Sequence, residues 1–400
     1  MNILVIGNGF DLAHGLPTKY TDFLEWIIGE YKYWEVSKKR GDKLPNGVKK
    51  SSIKLYLSPE RESKIKIDTA IEKQIELWEC IDDNLWIEYF LQCDMHGDEN
   101  WIDFESEIKN VVKKLEENLQ KIGGNLYSTV GKLPIPFFNN FFLDNLTYRK
   151  LVSILEYDLN RLIRCLEIYL DDYLKFKLIN WVLPEIKKLD IDKIISFNYT
   201  NIYEKVYDKS VNRTIEYDYI HGKADKNSKL ESNNMVLGID EYLSDDRKNK
   251  DIEFIAFKKF YQRIYKQTGC KYKEWIYKIK NEDNKNREER SWLRAKLDEC
   301  KSKNAPTSEI GKYKHKLKEM QHNLYIFGHF LDVTDKDILR DLILNDNVYT
   351  TIFYPYKDEL GRKIANLVKV IGQEELIRRT GGSTKTIEFK LQKPMVRRTS

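Results

Sequence analysis

Paired cysteines are missing from this chain. Cys80, Cys93, Cys165, Cys270 and Cys300 stand far apart, their number is odd, and no C-x-x-C occurs. That excludes a disulfide framework and a zinc ribbon, and makes a reducing cytoplasm the expected compartment. Also absent is any run of about 18 apolar residues, so neither a membrane span nor a membrane partner is expected. The first residues form a short apolar stretch without the basic region and longer apolar core of an export signal. An excess of one charge is lacking too. The 400 residues carry 63 acids against 68 bases, a net charge of +5, which gives a polyanion little to hold and makes nucleic acid an unexpected partner.

What remains is a globular chain, 41% hydrophobic, long enough for more than one domain. Short apolar runs without alternation occur at residues 2–6, 192–198, 218–222, 234–239, 323–330 and 349–355. They read as strands buried on both faces, hence a parallel sheet and an α/β fold. Residues 31–189 and 251–319 carry apolar residues at three and four spacing and read as helical insertions, the second a charge-dense hairpin with a solvated face. The α/β core is therefore expected in three pieces, 1–30, 190–250 and 320–370. Residues 37–66 read as a surface loop and 371–400 as a C-terminal tail, whose last stretch, LQKPMVRRTS, is basic and frayed.

Straight after the first strand comes IGNGFDLAHGLPTKY. Glycines between a strand and a helix permit unusual backbone angles and let a ligand approach the amides. Gly7, Asn8, Gly9, Phe10 and Asp11 open the turn, but Leu12 stands where a dinucleotide fingerprint has its third glycine, and no G-K-[ST] follows. Two readings stay open, a phosphate cradle and a turn that only packs strand on helix.

In an open parallel sheet, ligands lie beyond the carboxyl ends of the strands. There the sequence puts Asn198 and Thr200, His221 and Gly222, and Gly328, His329 and Asp332. His221 is the candidate general base, and structural hydrogen bonding is its alternative. Asn198 can hold a ribose or a water, or cap the following helix. His14 can reach the same ligand or pack, while Asp332, Asp335 and Asp337 read better as helix-start residues than as metal ligands; no metal is expected. Asp103, Glu105 and Glu107 after Trp101 read as first-turn acids of a helix.

Four segments together resemble the sirtuin pattern: the loop with Gly7, Gly9, Gly15, Leu16 and Pro17 in register, IISFNYTN, IHGK, and YIFGHF. LVIGNGFDLAHGLPTKYTDFL, NWIDFESEI, SFNYTN, FYQRI and IFGHFLDVTDKDIL are similar to the AbiH family of phage abortive-infection proteins, from residue 3 to about 340. The resemblance implies a sirtuin-like, Rossmann-type sheet core with large helical insertions and an anti-phage role triggered by the phage. It further implies an NAD-binding site, with NAD as substrate or ligand and a homo-oligomeric state. On that reading Asn198 and His221 carry catalysis as an NAD glycohydrolase. Gly7, Asn8, Gly9, Phe10, Asp11, His14, Gly15, Pro17, Thr200, Gly222, Gly328, His329 and Asp332 bind the nucleotide. A non-catalytic NAD or ADP-ribose sensor, or a nucleic-acid-acting effector, are the alternatives. Three departures stand out: no C-x-x-C, Lys19 and Tyr20 where the sirtuin loop has Phe-Arg, and Thr200 where its Asn is followed by an acid.

Overall fold

The computed structural model describes residues 1–39, 64–92, 104–130, 146–174, 180–208, 214–225, 227–244, 246–248, 250–382 and 385–397. Most of the expected surface loop, together with Trp101 and Asp103, lies outside them. The chain forms two compact units, one of residues 1–14, 179–220 and 269–400, the other of 15–178 and 221–268.

The first unit holds a six-stranded sheet built from β1 (Asn2–Ile6), β3 (Lys193–Ser196), β4 (Glu216–Tyr219), β5 (His322–Phe327), β6 (Val348–Tyr354) and β7 (Ile387–Leu391). A separate antiparallel ribbon joins β2 (Trp181–Val182) to β8 (Val396–Arg397). The sheet order is β4-β3-β1-β5-β6-β7, and each neighbouring pair is parallel. Numbered along the sheet's own strands that is 3-2-1-4-5-6, the Rossmann order, whose direction reverses between β1 and β5. β1 is aliphatic from Ile3 onward because it is central: Ile3 to Ile6 are buried under cover on both faces. On one face Ile3, Val5, Ile195, Leu324 and Ile326 pack with Trp275, Ile276 and Ile279 from the root of the long helix Tyr272–Ser302. The rest of that helix pairs with Thr307–Glu319 as the expected charged hairpin.

Two expectations are corrected here. Residues 371–400 are more than a C-terminal tail: they supply the helix Gln373–Thr380 and then β7, which extends the sheet because Ile387 buries against it, and within the stretch expected to fray Val396–Arg397 forms β8. Nor does the core piece run to residue 250. Gly222, at φ +78°, turns the chain immediately after β4, and a side chain there would meet the Asn234 carbonyl. The apolar run 234–239 is buried from Met235 onward but forms no strand; its backbone pairs instead with Phe257 and Lys259, and Leu237 N donates to Gln262 Oε1.

The second unit is helical, with Tyr20–Lys39, Lys64–Ile81, Leu85–Gln92, Phe104–Lys121 and Tyr148–Ile168 as its main elements. Asn84 starts Leu85–Gln92 by accepting from the amides of Trp86 and Ile87, and Thr147 starts Tyr148–Ile168 by accepting from Lys150 N. Its core stacks Trp34 on Trp78 and seats a buried ion network, Arg164 with Glu76 and Glu167. Among the described residues, no helix is long and apolar enough to cross a membrane.

Candidate functional site

At the carboxyl edge of the sheet unit, the turn after β1 crosses the turn after β5 at backbone contact. Gly7 N donates to Phe327 O at 3.1 Å, Gly9 N to Gly328 O at 2.8 Å, and Phe10 N back to Gly7 O at 2.8 Å. A Cβ on Gly7 would lie 2.7 Å from His329 Cα, and one on Gly9 2.8 Å from Gly328 Cα. Gly328, at φ +69°, would meet Phe10 N at 2.2 Å. The three glycines are therefore accounted for by this crossing, and the amides of Gly7, Gly9 and Phe10 are spent on backbone carbonyls.

The polar groups converge one strand away. Ser196, at the end of β3, braces the next turn by bonding Asn198 N and O through its hydroxyl. Asn198 thereby comes to lie beside the short helix Asn8–Ala13, where its Nδ2 donates to Gly7 O at 3.0 Å and to Asp11 Oδ1 at 2.9 Å. Both amide hydrogens are thus used, which fixes the orientation of the group. Its Oδ1 is left buried with no partner among the described residues, on a side chain only 5% exposed. An unpaired buried acceptor is costly, and it marks the point where a water or a ligand hydroxyl fits.

Asp11 is 1% exposed. Burial raises its carboxyl to about 7, against the pull of hydrogen bonds from Thr200 and Asn198. Thr200 Oγ1 donates to Asp11 Oδ2 at 2.5 Å and is itself half-buried, so it links the buried acid to the outer side of the cluster. The acid beside Asn198 is thus Asp11, contributed from the first helix. A carboxyl near neutrality beside an oriented amide at a sheet's reversal point is the arrangement for moving a proton to or from a bound group.

Two histidines of the expected site have defined structural work. His14 donates from Nδ1 to Phe10 O at 2.7 Å, which leaves Nε2 to accept from Tyr207 Oη at 2.8 Å; Tyr207 in turn accepts from Leu183 N. The neutral ring satisfies both bonds, and burial lowers its pKa. The unfolded chain then binds a proton that the fold refuses, so the His14 contribution is present above pH about 6.5 and is lost as pH falls through the lowered folded value. Melting scans between pH 7 and 5 are expected to show a steeper loss for the natural chain than for His14→Gln; equal slopes would refute the assignment. His329 accepts from Leu331 N at Nδ1 and faces Asp335 Oδ2 with Nε2 at 3.3 Å, while Phe197 packs edge-on against its ring at 4.2 Å. It holds Leu331 at φ +61°, a conformation a leucine rarely adopts.

Sequence reasoning missed Lys363. This buried lysine of the helix Lys357–Ile371 donates to His329 O at 2.5 Å with Glu359 4.0 Å away, and burial lowers its pKa to about 8. A lysine on the apolar stripe of Leu367 and Val370 was the available signal. Asp332 caps the turn after it, accepting from Thr334 N at 3.0 Å. Gly15, Pro17, His221 and Gly222 belong to the second unit. Gly15 has φ +73° with open space around its Cβ position, and the His221 carbonyl accepts from Val236 N.

A family model described as "Bacteriophage abortive infection AbiH" matches residues 3–356. No curated protein and no solved structure matches the chain.

Proposed function

This chain belongs to the bacteriophage abortive infection AbiH family, and from that premise we propose that it acts in the bacterial cytoplasm during phage infection by hydrolysing NAD to nicotinamide and ADP-ribose at the Asn198–Asp11–Thr200 cluster. The observation that carries the reading is the partnerless Asn198 Oδ1, aimed by Asp11 and Gly7 at the reversal point of a Rossmann-order sheet. The bond between nicotinamide N1 and ribose C1′ breaks with its electron pair going to the ring nitrogen, leaving an oxocarbenium-like carbon. Asn198 Oδ1 holds the attacking water through one hydrogen. The other proton passes through the Thr200 hydroxyl towards the Asp11 carboxylate as the new C1′–O bond forms. The Asp11 charge also favours the cationic transition state in a dry site. The diphosphate would rely on groups other than the amides of Gly7, Gly9 and Phe10, which bond backbone carbonyls.

Incubating the purified chain with NAD, with and without extract of phage-infected cells to supply a trigger, is expected to release nicotinamide and ADP-ribose. NAD that binds tightly yet stays intact in both arms would favour a sensor. No binding and no release would end the proposal.

A further inference from the structure

A second polar cavity lies at the opposite, amino-terminal edge of the same sheet. It occupies about 250 Å³ between the root of the helical hairpin and the starts of β5 and β6, and Arg290, Arg294, Lys314, Lys318, Gln321 and Asn347 line it with apolar neighbours. The charges arrive in an ordered way. Arg290 and Arg294 are one turn apart on Tyr272–Ser302, and Lys314 and Lys318 are one turn apart on Thr307–Glu319, so each helix turns two cations to the same space.

Arg290 is the informative member. It is 8% exposed, and its Nη2 pairs with Asp283, yet its Nε and Nη1 have no hydrogen-bond partner among the described residues. Asn347, 3% exposed, likewise leaves its Oδ1 unpartnered. A buried guanidinium normally uses its whole fork. A water can satisfy one N–H, but it does nothing for the mutual repulsion of four cations lining one cavity, of which Arg290 alone is paired with a carboxylate among the described residues. An anion with several oxygens does both: it accepts from the Arg290 fork, it neutralises Arg294, Lys314 and Lys318, and a hydroxyl on it can donate to Asn347 Oδ1. The volume is at the small end of ligand pockets.

We propose that this cavity is a binding site for a small phosphate-bearing anion, which clamps the hairpin to the sheet. The site is separate from the Asn198 cluster, at the other end of the strands, and it stands whether or not NAD is cleaved there. The phosphate can come free or as the terminal group of a nucleotide, so the test uses inorganic pyrophosphate and AMP as separate probes.

The full chain is melted across a titration of each probe, with sodium chloride adjusted to keep ionic strength constant. The melting temperature is expected to climb with probe concentration, since a ligand of the folded state stabilises it by mass action. In the surface variant Lys314→Glu, Lys318→Glu, whose side chains are exposed, the concentration needed for the same rise is expected to increase at least about tenfold. Arg290→Gln is expected to remove the response, and the surface variant keeps the test decisive if Arg290→Gln unfolds. A response to pyrophosphate alone identifies a free-phosphate site, and a stronger response to AMP identifies a nucleotide site. No rise with either probe, or a rise of the same size in the surface variant, would overturn the proposal. So would tighter binding of single-stranded RNA than of both probes, lost in that variant, which would make the cavity part of a nucleic-acid surface.

Discussion

Asn198→Ala is expected to lower NAD cleavage by about 10²-fold or more while leaving the fold in place, because it removes the one group that positions the attacking water. Asp11→Asn separates positioning from charge. The new amide can still accept from Asn198 Nδ2 and can donate to Thr200 Oγ1, so the geometry of the cluster survives while the charge and the proton acceptor are gone. With Asp11 present, cleavage is expected to climb between pH 6 and 8, as a carboxyl raised to about 7 by burial passes into its ionised form. In Asp11→Asn that rise should vanish and the rate at pH 8 should drop by about 10² to 10⁴. A structural role alone would lower the melting temperature and leave the shape of the profile unchanged. Full activity in Asn198→Ala, or an unaltered pH profile in Asp11→Asn, would remove the cluster from the mechanism.

Stability moves in the opposite sense at the two buried titrating groups. The folded state binds the Asp11 proton more tightly than the unfolded chain does, so that contribution is present at low pH and is lost as pH rises from about 4 to about 7. His14 gains stability over the upper part of the same range, towards its unfolded value. The two oppose each other where their ranges overlap, so the natural chain is expected to show a flattened stretch there rather than a maximum. Only the single variants resolve them.

Much of the sheet was legible in the sequence because its central strands have no polar face. NILVI, KIIS and the runs at 323 and 349 announce themselves as buried on both sides, and residue 387 onwards carried a signal too: IEFKL alternates as a half-exposed edge strand does. Two things could not be read. NMVLGI has the composition of a strand, but whether such a run joins a sheet depends on which backbone meets it, and here Gln262 and Phe257 do. The sequence places Asn198, Thr200 and the glycine turn after strand ends, yet the raised pKa of Asp11 comes from burial that only the folded chain supplies, in a cluster whose other members, Asn198 and Thr200, lie nearly 190 positions away. Nothing local to FDLAHG distinguishes that aspartate from an ordinary first-turn acid.

Gly328→Ala should be among the most damaging single-methyl changes in the chain. Its backbone is in the left-handed region, where a side chain costs about 1–2 kcal/mol, and its Cβ would lie 2.2 Å from Phe10 N and 2.6 Å from Gly9 C, rigid atoms that cannot rotate away. Relieving the overlap means parting the two turns, which breaks the Gly9 N to Gly328 O bond and shifts Phe10 from its aromatic nest with Phe327, Tyr203 and Tyr207. The combined loss is expected at about 3–5 kcal/mol, against a typical domain stability of about 5–15 kcal/mol. Gly15→Ala is the control: it has the same backbone sign and open space around the added methyl, so it should cost only the conformational part, about 1–2 kcal/mol. Denaturant midpoints for the two variants test the difference. Equal losses would mean that the glycine at 328 is kept for its backbone angle alone. In that case the crossing no longer explains Gly7 and Gly9, and the case for a phosphate cradle in the opening turn becomes the stronger one.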